Sequence, residues 1–466
     1  MSINNYRNMF LIAVLLVAGR FFACSGTSGP EDPDGLRRRI AELEGVNVVE
    51  LVPYYDFSRE FLLEIEQPVD HGDSASATFI QRAYLLHRDE ASPMVLACGG
   101  YAAYSDDLHE MSVALDANQI AVTHRYFSGA VPGSRNYDFL TTEQAAADLH
   151  RIVELFTEIY DVSWLSSGFG KGGIMALSHR RFYPDDVAVT VVYATPFLKS
   201  QTDVRPLDYI RELGSDNTHA RIQMFQEALL HRRSEIMPYI LNFINYTAYH
   251  YYYGWSLNAD AVLELAVLEY PFDYWSNYNQ IDSELPDTSE SAEVLFGHLY
   301  DTVWLEYFSD DYIAYLMPYY YQSLTELGAV AHDCEHLRDL FEIIEPDSFL
   351  NVSYEIFAPS GVDISYRESV MTDLLDWLKQ NGDNIIYLYG QNDPITPTAD
   401  ELAETATNAI MLVQPGQDHY LSLTEFSEAQ QVYDALTEWL GTDVVEPLSK
   451  TGLTVQTERI QKIPLK

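Results

Sequence analysis

The chain has 466 residues and carries 27 Lys plus Arg against 70 Asp plus Glu, a formal charge of −43 at pH 7. Such a charge repels polyphosphate and excludes nucleic acid as a partner. With 47% hydrophobic and 13% aromatic residues the chain buries a large core, as one big domain with an insertion or as two domains, and is not disordered. A solvated acidic surface, as in salt-adapted proteins, accounts for the charge. A field that attracts a cationic substrate is the functional alternative.

At the N-terminus Arg7 precedes the apolar run Met9 to Ala18, and Arg20-Phe21-Phe22-Ala23-Cys24 leads into a Ser/Gly/Pro/Asp stretch. The run is too short to span a bilayer, so residues 1–24 read as an export signal. Ala23-Cys24 resembles a bacterial lipobox, in which the cysteine is lipidated, and ordinary cleaved secretion is the alternative. Either way the expected location is outside the cell or on a bacterial envelope, with membrane contact only through a lipid on Cys24. Residues 25–40 read as a linker, and residues 450–466 as a peripheral tail. With Cys24 consumed, Cys98 and Cys334 remain, and the sequence leaves their pairing open.

From residue 41 onward the text is that of an α/β protein. Phe61 to Glu66, Thr78 to Leu86, Met94 to Cys98 and Gln119 to Phe127 are short apolar or alternating runs bounded by Gly, Pro, Asp and Ser, the marks of strands. The spacing predicts a helix over Thr141 to Tyr160, with Ala145, Leu149, Ile152, Val153, Phe156 and Ile159 on one face and Thr141 with Gln144 as a capping box. A strand at Val162 to Ser167, a helix from about Lys171 and a strand at Val187 to Ala194 follow. This alternation specifies a parallel sheet covered by helices in a first core part, residues 41–205.

Residues 206–360 change texture, with helical patterns at Arg221 to Ile236 and Ala261 to Tyr270 and dense tyrosine at Tyr246 to Trp255 and Tyr312 to Tyr321. They read as a helical cap inserted over the sheet. Its tyrosines are expected to fill helix contacts with the hydroxyl at the wet edge, and lining a peptide cleft is the alternative. The sheet resumes in a second core part, residues 361–449, with strands at Asn384 to Tyr389 and Ala409 to Val413 and a closing helix from Glu425 to Leu440.

Between the strand at Val162 and the helix at Lys171 lies Ser166-Ser167-Gly168-Phe169-Gly170-Lys171-Gly172-Gly173. This is the place where an α/β-hydrolase carries Gly-x-Ser-x-Gly on a strained turn that exposes a serine nucleophile. Gly168 and Gly172 hold the two glycine positions, and Gly170 stands at the centre, where the hydroxyl belongs. Later strands end in Gly390-Gln391-Asn392-Asp393-Pro394 and Pro415-Gly416-Gln417-Asp418-His419. An acid after one strand and a histidine after the next is the order of this fold's triad, with Asp393 orienting His419 and His419 as general base and acid. Cys98-Gly99-Gly100-Tyr101 is a glycine turn able to aim the Gly100 or Tyr101 N–H at an oxyanion, alongside the N–H of Lys171. The expected fold is therefore an α/β-hydrolase core, its sheet mainly parallel, with a large helical cap.

Glu66-Gln67-Pro68-Val69-Asp70-His71, Phe79-Ile80-Gln81-Arg82, Gly100-Tyr101, His124-Arg125-Tyr126-Phe127, Glu143-Gln144 with Asp148, Gly168 to Gly173, Arg181 to Val187 and Tyr319-Tyr320-Tyr321-Gln322 occur in order. Together they resemble serine peptidase family 37, the bacterial secreted tripeptidyl aminopeptidases related to prolyl carboxypeptidase and the dipeptidyl peptidases. The resemblance implies a hydrolase with a helical cap that removes short peptides from free N-termini and needs no cofactor. It places Gly170 on the family's nucleophile and Asp393 and His419 on the other two members, and it puts Thr123 where the family usually has Glu.

The expectation is an aminopeptidase-like protein whose covalent catalysis is impaired or lost, still able to bind peptides with a free N-terminus. A working hydrolase using a water activated by His419, and a surface scaffold lipoprotein that keeps only the shape, are the alternatives. His332 and His336 flank Cys334 one helical turn apart, but no third ligand is identifiable and no metal site is assigned.

Overall fold

Runs of residues apolar on both faces form strands only where helices cover both faces, and the centre of this chain supplies several. The computed structural model describes residues 32–444 apart from 33, 134, 248, 251–257, 278–284, 346–353 and 404–406. Residues 1–24, read above as an export signal with Cys24, the first part of the linker, Tyr251 to Trp255 and residues 450–466 lie outside the described residues. Among the described residues, the strands are β1 (Val46–Leu51), β2 (Arg59–Pro68), β3 (Thr78–His87), β4 (Met94–Cys98), β5 (Asn118–Val122), β6 (Trp164–Phe169), β7 (Val189–Tyr193), β8 (Ile385–Gly390) and β9 (Ala409–Gln414). They form one nine-stranded sheet in the order β1-β2-β3-β5-β4-β6-β7-β8-β9.

The strands β1, β2, β3 and β5 are antiparallel neighbours, whereas every pairing from β5 through β9 is parallel. Strands β4 to β8 are buried along their whole length. One face packs on α3 (Thr142–Thr157) and α4 (Lys171–Phe182), the other on α12 (Ala429–Leu440), with α1 (Leu36–Glu42) and α2 (Glu110–Ala114) at the flanks. Between β7 and β8 lie α5 (Arg205–Ile210), α6 (Asp216–His231), α7 (Arg233–Tyr246), α8 (Ala259–Asn277), α9 (Ala292–Thr302), α10 (Asp310–Gln322) and α11 (Ser369–Asn381). Helices α5 to α10 share a hydrophobic core of their own. Among the described residues no helix is long and apolar enough to cross a membrane.

Four local expectations are corrected. The linker read over residues 25–40 ends in helix α1, because Leu36 and Ile40 bury one turn apart against the sheet-side core. The strand read through Phe127 stops at Val122, where the chain turns and Tyr126 adopts a positive φ of 72°. The helix read over Arg221 to Ile236 is two helices that meet at Arg232. The capping box on α3 is half made: Thr141 Oγ1 accepts the Gln144 N–H at 3.1 Å, but the Gln144 side chain instead accepts from the His71 N–H and donates to Asp70.

That turn after β5 is tied by a buried ion pair. Arg125, with no exposed surface, donates to both oxygens of Asp148 at 2.8 Å and to the carbonyls of Pro68, Val69 and Phe139. His71 Nε2 lies 2.8 Å from the same carboxylate. Removing one partner of a buried pair strands the other, at a cost of about 3–5 kcal/mol. Asp148→Ala is therefore expected to lose about that much stability in urea denaturation, and a loss below about 1 kcal/mol contradicts this account.

Candidate active site

The carboxyl ends of parallel strands are where open α/β sheets bind ligands. Here β4, β6, β8 and β9 deliver Gly99 to Tyr101, Gly170, Asp393 and His419 respectively. Gly170 sits between β6 and α4 with φ 52° and ψ −118°, a conformation strained for any residue with a Cβ, and its N–H donates to the Tyr193 carbonyl at 2.9 Å. The glycines beside it are demanded by space. A Cβ on Gly172 would fall inside contact distance of the Cys98 carbonyl oxygen, and one on Gly168 would collide with Gly172.

His419 Nδ1 lies 2.8 Å from Asp393 Oδ2, with the Asp393 side chain fully buried and the other carboxylate oxygen accepting the Ile395 N–H at 3.0 Å. A buried carboxylate fixed on its far oxygen can hold one imidazole tautomer and stabilise the imidazolium. The elbow and the histidine are neighbours, since the Phe169 ring meets His419 edge-on at a centroid distance of 5.2 Å. The structure thus brings Gly170, Asp393 and His419 to one end of the sheet.

The glycine turn reaches the same place. A Cβ on Gly100 would lie 2.9 Å from the Gly172 nitrogen and 3.0 Å from Lys171 Cβ, so the turn and the first residues of α4 are in contact. Lys171 Nζ donates to the Gly100 carbonyl at 2.6 Å and lies 5.4 Å and 5.0 Å from the ring centroids of Tyr101 and Phe127. The ammonium therefore braces the loop whose N–H groups are the oxyanion candidates, a role of its side chain that the sequence motif does not declare. Thr123 Oγ1 adds a bond from the Ala103 N–H at 3.0 Å.

The helical insertion completes the surroundings. Tyr315 and Tyr319 of α10 reach the glycine turn, the first through an Ala102 N–H contact at 3.4 Å and the second by packing on Tyr101 at 5.8 Å. Tyr312, Tyr320 and Tyr321 are buried in packing, as expected of residues that fill helix contacts. From α8, the Ser276 carbonyl accepts the His419 backbone N–H at 3.2 Å. Glu269 and Asp273 of the same helix were not singled out by sequence reasoning. Acids at positions four apart in so apolar a helix were the readable signal, but Glu264 on that helix serves structure, binding Arg233 and the N–H groups of Glu342, Ile343 and Ile344.

His332 and His336 part company: the first pairs with Glu269 at 3.0 Å and the second with Gln226 at 3.1 Å, the intervening segment being irregular and 3₁₀ rather than α-helical. Among the described residues no group of ligands suits a metal. Cys98 and Cys334 are both buried and are not bridged to each other.

A mainly parallel sheet with this elbow, acid and histidine defines an α/β-hydrolase. The chain belongs to the PS-10 peptidase S37 family, which it matches over residues 31–447. It is 27% identical over 416 residues to the prolyl tri/tetrapeptidyl aminopeptidase of Streptomyces mobaraensis, spanning 87% of this chain and 85% of that one. Among solved structures it is similar to a proline iminopeptidase of Mycobacterium smegmatis, with a TM-score of 0.41 and 12% identity over 81% of this chain and 97% of that one. It is also similar to the peroxisomal alpha-beta-hydrolase Lpx1 of Saccharomyces cerevisiae, with a TM-score of 0.38 and 11% identity over 87% and 95%.

Asp418, next to the histidine, is buried and accepts the Tyr420 N–H at 3.1 Å. Burial outweighs that bond and pushes its carboxyl up to about 6. A raised folded-state value favours folding below the unfolded value, and that contribution is lost as pH rises from about 4 to about 6. Asp418→Asn is expected to match the parent near pH 3.5 and to exceed it by up to about 3 kcal/mol at pH 8, read from urea midpoints at both pH values. An unchanged difference across that range contradicts the assignment.

Proposed function

We propose that this protein binds peptides by their free N-termini at a serine-aminopeptidase site whose covalent chemistry is impaired or lost at Gly170. The observation that carries the reading is the residue itself: the apex of the elbow has the turn's backbone and no side chain. Acyl transfer needs an attacking oxygen, and loss of the serine alone costs about 10⁶ in turnover in a comparable hydrolase, with binding and the oxyanion hole leaving about 10³ to 10⁴ over water.

In this reading Asp393 orients His419, and His419 is the general base and acid that an intact site would use. The N–H of Lys171 and that of Gly100 or Tyr101 form the oxyanion site. The similar aminopeptidase of Streptomyces mobaraensis supports peptides as the ligand class. The export-like N-terminus supports an exported protein, secreted or held to a bacterial envelope by a lipid on Cys24. The ordered Asp393–His419 pair also favours a second reading, slow hydrolysis by a water that His419 activates.

The test is cleavage of a tripeptidyl fluorogenic substrate by this protein and by Gly170→Ser, at low and high salt. The variant is expected to gain at least about 10³-fold in turnover and to label with a serine-directed phosphonate, while the parent does neither. A serine at φ 52° is also expected to lower stability by about 1–3 kcal/mol. Equal turnover without an acyl-enzyme burst in either protein favours the water mechanism and overturns loss of activity.

A further inference from the structure

Helix α8 lays a polar stripe beside the Asp393–His419 pair. Glu269, Asp273 and Ser276 stand at i, i+4 and i+7 and so share one face of a helix that is otherwise largely apolar. The C-terminal end of the stripe is fixed on the site by the bond from the His419 N–H to the Ser276 carbonyl. The other end is fixed by His332, whose Nε2 lies 3.0 Å from Glu269 Oε2.

Neither acid is sealed in the core: the Glu269 side chain is 20% exposed and Asp273 is partly accessible. Beside them Ser276 is only 4% exposed, and its buried Oγ makes no hydrogen bond among the described residues. A buried hydroxyl in that state is costly unless a ligand or water meets it. Two partly accessible carboxylates one turn apart likewise repel each other, and a positive group placed between them is favoured. Burial, reinforced by the Glu269 charge, holds the Asp273 carboxyl well above the usual range, and the proximity of His419 works the other way. At His332 burial is outweighed by the Glu269 carboxylate, which holds the imidazole above its ordinary value.

The spacing also suits a ruler. From Ser276 back to Glu269 is seven residues of helix, about 10 Å at about 1.5 Å per residue. Three extended peptide residues span about 10 Å. A ligand chain lying along the stripe with its third carbonyl at His419 therefore brings its amino group to Glu269, with Asp273 within one residue's length of the same path.

We propose that Glu269 and Asp273 bind the α-ammonium group of the peptide, with Glu269 placed for a tripeptide N-terminus. This assignment rests on the peptide-binding reading above and adds to it the group that selects free N-termini. It also gives the histidine beside Cys334 a purpose other than metal binding: His332 holds the Glu269 carboxylate in position.

The experiment is calorimetric binding of the tripeptide Ala-Ala-Pro and of its N-acetyl derivative to the full chain and to Glu269→Gln and Asp273→Asn. In the unaltered protein the free amine is expected to bind at least about tenfold tighter than the acetylated peptide. Each variant is expected to reduce affinity for the free amine at least about fivefold while leaving the acetylated peptide unchanged, which a general loss of structure does not do. Equal affinity for the two peptides in the unaltered protein overturns the assignment while leaving peptide binding intact. Discrimination preserved in both variants does the same. Binding of neither peptide overturns the peptide-binding reading itself, and the assignment falls with it.

Discussion

The approach of α4 to the ends of β4 and β6 is closer than any side chain permits, and the rest of the site depends on it. Gly172 lies against the Cys98 carbonyl and Gly168 against Gly172, so a methyl group at either position forces the helix off the sheet. That contact sets where the helix N-terminus points, where the glycine turn after β4 can run, and how near Lys171 comes to Gly100. Backbone packing of this density is rigid because small displacements meet hard repulsion at once. The elbow therefore keeps its shape without help from the residue at its apex.

The same independence holds for the other half of the site. Asp393 is positioned by the turn after β8 and its own bond from Ile395, and His419 by the end of β9, by Phe169 and by Ser276 of the helical insertion. None of these contacts uses a side chain at residue 170. A glycine at the apex, with φ 52°, also relieves the strain that a serine would carry there. A glycine at the apex therefore leaves the surrounding scaffold as the core packing sets it.

What the sequence disclosed follows from which signals are local. The elbow, the acid and the histidine each end a strand, and strand ends marked by Gly, Pro and Asp are written in adjacent residues, so Gly170, Asp393 and His419 were legible. Gln144 was misread as a capping partner because its real partners, Asp70 and His71, are more than seventy positions away. The strand expected through Phe127 is apolar enough to continue, but Arg125 is claimed by Asp148 and the chain bends to deliver it. His332 and His336 looked like a pair on one helix face only because periodicity was assumed where the chain is irregular. The surroundings of Glu269 and Asp273 depend on what α8 leans against, and helical periodicity does not report that.

The helical insertion touches the site through backbone as well as side chains. Ser276 accepts from the His419 main chain, Tyr315 and Tyr319 abut the glycine turn, and Glu326 accepts the Thr142 N–H at 2.8 Å at the start of α3. Each contact joins a cap element to a segment the core already holds by its own packing, so the cap is registered on a fixed platform. The acids of α8 thus lie on the cap side, and His419 and the glycine turn that Lys171 braces lie on the core side. The acids of α8 and the Asp393–His419 pair thus belong to different parts of the chain, and neither depends on a side chain at residue 170.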